Sequence, residues 1–195
     1  MEYAFKMFHK DLTCTLGKGT FQYRPGEWME EPEANCVRNG FHAAKNPLDC
    51  LSYYPNWKES SCWIVEAAGD IDEDSTDSKI SCTRIRLVKE INLVEFVRLA
   101  CAYAIKHPFE EHSKISRENG ITNPNGFVIV RGKNPKAIVS PGTVIGILKE
   151  YPESLEIAEA AVFEAPKEDV TGIRKEWTYG IDGLKGILAE GAMET

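Results

Sequence analysis

Residues Leu93 to Lys106 carry the clearest helical signal in the chain and set the frame for everything around them. Asn92 can cap this segment, with Glu95 as its reciprocal partner three residues on, and the helix must stop before Pro108. Its polar positions Glu95, Arg98 and Lys106 form one narrow stripe. The periodicity therefore predicts a core helix with most of its surface buried.

Elsewhere the pattern has a period of two. Residues 3–8, Gly19 to Tyr23, Cys36 to Ala44, Ser61 to Ala67 and Ile80 to Glu90 read as strands, because aromatic and apolar residues alternate with polar ones. Leu48, Leu51 and Tyr54 repeat at helical spacing behind Asn46 as a cap and Pro47 in the first turn. From His107 to Asn125 the composition turns polar. Beyond it Phe127 to Val130, Ala137 to Val139, Thr143 to Leu148, Ile157 to Phe163, Trp177 to Ile181 and Leu184 to Leu188 again read as strands. The turns Gly132-Lys133-Asn134-Pro135 and Ser140-Pro141-Gly142 suit a small antiparallel sheet or one or two coils of a β-solenoid. The expected fold is α+β: a mixed or antiparallel β-rich N-terminal domain with a core helix over 1–108, a polar linker over 109–126, and a small all-β part over 127–195.

Composition narrows the function. The 43% hydrophobic content of the 195 residues suffices for a packed core. The longest apolar run, Ile91 to Ile105, is broken by Asn92, Glu95 and Arg98 and falls short of a membrane span. The start, MEYAFKMFHKD, lacks a secretory apolar run, so a cytoplasmic location is expected. Cys14, Cys36, Cys50, Cys62, Cys82 and Cys101 are widely spaced and read as reduced, mostly buried thiols. None forms a Cys-x-x-Cys pair, and His107 with His112 has no cysteine pair upstream, so no metal is expected. A formal charge of −7 disfavours nucleic acid and suits a basic protein partner.

The acidic run places Asp70, Asp72 and Asp74 at the spacing of the first EF-hand ligands. Ser75 stands at the sixth position and Ser81 at the twelfth, so the turn glycine and the bidentate glutamate are missing. Asp70, Asp72, Glu73, Asp74 and Asp77 read instead as a partner-binding acidic surface, with Lys79 offsetting local charge. Gly17-Lys18-Gly19-Thr20 lacks the spacing of a phosphate loop, and no Gly-x-Ser-x-Gly elbow occurs.

Several motifs carry a family resemblance. They are Phe5-Lys6, Asp11-Leu12-Thr13-Cys14, Phe21-Gln22-Tyr23-x-x-Gly26, Cys36-x-x-Asn39-Gly40-Phe41-His42-Ala43, Asn46-Pro47-Leu48-Asp49 and Tyr53-Tyr54. They continue through Val65-Glu66, Gly69-Asp70 and Asp77-Ser78-Lys79 to Gly132-Lys133, Ile145 to Glu150, Trp177-x-Tyr179 and Asp182-Gly183. With these the chain resembles a family of uncharacterised proteins common in phages and prophages. The repeat array between that family's halves is almost absent, and Met7 stands where the family has Gly. The resemblance implies a phage-encoded interaction protein without a cofactor, such as an inhibitor of a host defence factor that docks a basic host protein through its acidic surface.

Gly40-Phe41-His42-Ala43, followed by Asn46-Pro47 and a helix reaching Tyr53-Tyr54, also resembles the strand-helix signature of ADP-ribosyltransferase-like domains. This second resemblance implies NAD as cofactor. Lys6 or His42 would bond ribose or phosphate, Tyr53 or Tyr54 would stack on nicotinamide, and Glu90 would be the catalytic carboxylate, with Glu66 second.

Overall fold

Two long strands, β6 (Ser60–Glu73) and β7 (Lys79–Ile91), form the antiparallel hairpin on which the N-terminal half is built. The computed structural model describes residues 1–15, 19–36, 38–167, 177–181 and 183–184. Its contacts divide the chain into two units, Met1–Asn92 and Leu93–Thr195. Among the described residues the strand-rich content with one α-helix is that of an α+β fold, mostly β.

In the first unit β1 (Glu2–His9) runs antiparallel along β6, from Glu2↔Ala67 to His9↔Ser60. β2 (Thr13–Cys14) and β3 (Phe21–Gln22) form a small hairpin, and β4 (Trp28–Glu30) joins β7 at Arg84 to Arg86. β5 (Phe41–Ala44) pairs with the first residues of β7, Lys79 to Cys82. It then meets β1 at one pair, Phe5↔Ala44. The order β1, β6, β7, β5 thus returns to β1 and closes a small antiparallel barrel. Register shifts at Ile64/Val65 and Ala68/Ile71 give β6 the bulges that such curling requires.

Period two puts Ala4, Lys6 and Phe8 on the inner face of β1, where Ala4 and Phe8 join Phe41, Val65, Ile80, Ile85 and Leu87 in the core. Between β5 and β6 the expected helical turn is a 3-10 helix, Pro47–Ser52. The Asn46 side chain accepts from the Leu48 amide at 3.1 Å.

Two expectations shift here. The strand expected from Cys36 begins only at Phe41, because the Arg38 amide donates back to Asn35 O and Gly40 stands at φ +85°. A Cβ on Gly40 would lie 2.5 Å from Ser81 Oγ and 2.9 Å from the Cys82 carbonyl. Gly40→Ala is therefore expected to cost about 1–3 kcal/mol, read by urea denaturation under tryptophan fluorescence. The acidic run, expected as a loop over Asp70 to Asp77, also forms a shorter loop. β6 continues through Glu73, leaving only residues 74–78 between the strands.

The second unit begins with α1 (Leu93–Lys106), at the bounds the periodicity predicts. It buries Phe96, Val97, Ala100, Cys101 and Ala104, while Arg98, Ala102, Ile105 and Lys106 are exposed. Expected to be buried over most of its surface, the helix instead lies with one face on a sheet, where Gly146 leaves room for Cys101 and Val97. It packs against β9 (Phe127–Val139), β10 (Val144–Glu150) and β11 (Ile157–Glu164). These contacts group the helix with the C-terminal strands, whereas the sequence reading placed it in the 1–108 domain. The segment read as a linker holds β8 (Ser116–Ile121), paired parallel to β9.

The sheet is mixed rather than antiparallel. β8, β9 and β10 pair in parallel, and β11 and β12 (Trp177–Gly180) pair antiparallel to their neighbours. β13 (Gly183–Leu184) closes the row, and residues 185–188 of the strand expected there lie outside the described residues, as do Gly17 and Lys18. β9 runs straight through the expected Gly132-to-Pro135 turn. Glu118, at φ 59° in a bulge of β8, offers its carboxylate to the amides of Lys133 and Asn134 at 2.9 and 3.1 Å, so the polar backbone there is satisfied without a turn.

Candidate functional site

β1 and β5 meet at a single residue pair, and on the Lys6 side of that pair their side chains border a cavity of about 700 Å³. That lies inside the roughly 300–1,000 Å³ range of small-molecule sites. Lys6 comes from β1, His42 from β5, and Tyr53 and Tyr54 follow the 3-10 helix; all four line this one space. The sequence reading thus nominated residues from three separate segments that the barrel brings together.

Lys6 is 6% exposed, although it carries a charge. Its Nζ donates to the His42 carbonyl at 2.6 Å and lies 5.3 and 5.1 Å from the ring centres of Phe8 and Tyr23. Burial lowers its pKa from the ordinary lysine value, and the nearby thiols Cys14, Cys50 and Cys82 offset this only in part. Burial likewise pushes the Cys50 thiol up to about 12, so it stays protonated at neutral pH. The Tyr54 hydroxyl donates to Cys14 Sγ at 3.2 Å, which fixes one wall.

His42 is held neutral. Burial, then the charges of Lys6 and Lys79, lower its pKa to about 4. An unfolded chain takes up that proton near ~6.5, well before the folded one does. Stability contributed by neutral His42 is therefore complete above pH 6.5 and is lost as pH falls towards 4. Acidification across this window should weaken the N-terminal unit, and His42→Asn should flatten that portion of a melting-temperature-versus-pH curve.

The candidate carboxylates lie elsewhere. Glu90 is not among the residues lining the cavity; it accepts from Ser61 Oγ at 2.6 Å, and Ser61 Oγ accepts from Trp63 Nε1 at 2.8 Å. Glu66 accepts from Arg86 Nε at 2.9 Å in a cross-strand pair. The acidic side chains that do line the cavity, Glu31 and Glu33, stand in the stretch before β5, with Glu33 accepting from Asn39 Nδ2 at 3.1 Å. Sequence reasoning passed over both, and also Arg38, Cys14 and Cys50, because nothing local distinguishes a turn residue that faces a cavity from one that faces water.

The acidic surface is largely engaged within the chain. Glu73 pairs with Lys45 at 2.5 Å and Asp74 with Lys79 at 2.8 Å. Asp72 accepts from the Cys36 amide at 2.7 Å, and Asp77 accepts from the Lys79 amide at 2.8 Å and the Tyr53 hydroxyl at 3.3 Å. Asp70 is exposed, with its amide donating to Thr83 Oγ1 at 3.0 Å. Such pairing reduces the field available to attract a basic partner. Among the described residues no cluster of three or more His, Cys, Asp and Glu could hold a metal ion, and no helix is long and apolar enough to cross a membrane.

No curated protein and no solved structure shows significant similarity to the chain. Residues 3–99, which contain every residue lining the cavity, match the family model of a domain of unknown function, DUF7666.

Proposed function

We propose that the N-terminal unit is a small-molecule-binding module, related to ADP-ribosyltransferase-like domains in its strand-helix signature and using the cavity for recognition rather than transfer. One observation carries this reading: a cavity of about 700 Å³ whose wall includes a buried lysine, a neutral histidine and two tyrosines. Nucleotides, NAD among them, fall within its size. A transferase would need a carboxylate beside the ribose; the nominees Glu90 and Glu66 are bonded elsewhere, and of the acidic residues that line the cavity, Glu31 and Glu33, the second is engaged by Asn39.

The test is a thermal-shift screen of nucleotides and small organic acids, followed by calorimetry. A ligand at 100 times its Kd should stabilise the protein by about 2.7 kcal/mol. Tyr54→Ala and Lys6→Met should each abolish that gain. If every stabilising compound acts undiminished on both variants, the cavity is not the site. The phage-inhibitor reading, in which a basic host protein docks on Asp70, Asp72, Glu73, Asp74 and Asp77, has less behind it because Lys45 and Lys79 already engage part of that surface. It requires association that slows steeply with added salt.

A further inference from the structure

Lys6 poses a problem that the barrel leaves unsolved. An ammonium group has three donors, and the structure gives one of them an acceptor, the His42 carbonyl. Among the described residues no carboxylate pairs with Lys6, and the groups that favour its charge are the thiols of Cys14, Cys50 and Cys82. Taking an unpaired cation out of water is costly, and buried charges in proteins are as a rule paired. The same face of β1 holds Ala4 and Phe8, so an apolar side chain would suit the core there. The other cations of the cavity differ from it: Lys79 already has Asp74, and Arg38 is exposed.

Resting on the binding-module reading, we propose that Lys6 is the receptor for the anionic group, carboxylate or phosphate, of a small ligand with a flat unsaturated body. The anion completes the pairing the protein lacks. A charge-assisted hydrogen bond forms to each free donor, at a side chain only 6% exposed. The flat body follows from the aromatic lining of the cavity, where Phe21 is 37% exposed; Tyr53 is 41% exposed but has Lys79 Nζ 5.2 Å from its ring centre, so Phe21 is the wall that leaves ring surface open. Phe21 stands edge-on to Tyr23 at 4.8 Å and to Phe41 at 5.4 Å, which holds its ring in place. Neutral His42 adds no second positive charge, so the anion is drawn to the ammonium.

The test uses the full chain and matched probes: benzoate against benzamide, and phenyl phosphate against phenol, each titrated by ligand-observed and protein-observed NMR. In parallel, crystals soaked in bromide are examined for anomalous signal. The anions should bind about 10-fold to 100-fold more tightly than their neutral partners, as loss of a charge-assisted bond predicts. Bromide should sit at hydrogen-bonding distance from Lys6 Nζ. Both effects should vanish in Lys6→Met, and comparison of the two anions tells carboxylate from phosphate. If neutral probes perturb the cavity residues as strongly as anions, or if the anion preference survives in Lys6→Met, Lys6 is not the receptor while the binding-module reading stands. If no probe perturbs the cavity residues and bromide is absent from Lys6, both readings fall together.

Discussion

Glu150→Ala is expected to lower the stability of the C-terminal unit by about 3–5 kcal/mol, the largest single effect anticipated in this protein. The Glu150 side chain is 0% exposed and receives Arg131 Nε at 2.7 Å and Arg117 Nη1 at 2.6 Å. Arg131 is itself 4% exposed and also donates through Nη2 to the carbonyls of Pro108 and Leu155 at 2.5 Å each. Removing the carboxylate leaves that guanidinium buried without its counter-charge, and the two carbonyls cannot replace it. Arg131→Met combined with Glu150→Leu should recover only part of the loss, because the apolar pair removes the buried charges but leaves the carbonyls of Pro108 and Leu155 without their donor. Far-UV circular dichroism during urea denaturation reads both variants. Burial raises the Glu150 pKa, but the hydrogen bonds from Arg117 and Arg131 outweigh it, and the net value is lowered. This carboxylate therefore contributes its stability above the ordinary glutamate range and loses it as pH falls through the depressed folded value.

Lys6→Met is expected to do the opposite in the N-terminal unit, stabilising the ligand-free protein by about 1–3 kcal/mol. Methionine keeps much of the length of the lysine stem and suits the apolar company of Ala4 and Phe8. The sign follows from linkage. Below its lowered folded pKa, Lys6 burdens the native state with a buried cation. As pH rises from that value towards the unfolded ~10.4, the native state sheds the proton first and the burden lifts. The stability difference between Lys6→Met and wild type should therefore shrink on alkalinisation, measured pairwise so that other titrating groups cancel. A variant less stable than wild type at neutral pH would show that the contacts of Nζ with the His42 carbonyl and the rings of Phe8 and Tyr23 outweigh its desolvation. Gain of stability together with loss of ligand is the pattern of a residue held for function.

What could be read from the chain follows a physical division. Local rules placed α1 at its observed bounds, because Asn92 and Pro108 bracket a strongly periodic run. They also placed the Asn46 cap, β7 to within a residue at each end, and the first half of β6. The α+β class followed from these. Pairing decided by partners distant in sequence was not legible. Nothing near Gly132 to Pro135 signals that Glu118 will satisfy the backbone amides and keep β9 extended. Nothing in α1 states which sheet will cover Phe96 and Val97; adjacency suggested the preceding strands, and contacts chose the following ones.

The site divided in the same way. His42, Tyr53 and Tyr54 were nominated from a short strand-helix motif and Lys6 from the separate Phe5-Lys6 strand, and the four share one cavity. Glu90 was chosen for its place at a strand end, yet strand alternation and its bond to Ser61 put it among other neighbours. Lys79, read as offsetting local charge, pairs with Asp74 across the turn, whereas Lys45, the partner of Glu73, reaches the acidic run only through the pairing of β5 with β7.

The one-pair junction between β1 and β5 has a dynamic consequence. A seam with one ladder pair, Phe5↔Ala44, and the bond from Lys6 Nζ to the His42 carbonyl can breathe without disturbing the long ladders of β6 and β7. Amide protons along that seam should thus trade with solvent deuterium sooner than those of the neighbouring rungs, by fluctuations far smaller than global unfolding. A molecule seated against Lys6 and His42 would touch both lips of the seam at once. Its arrival would then be legible as slowed deuterium uptake at Phe5 and Ala44, even with no change in mean structure.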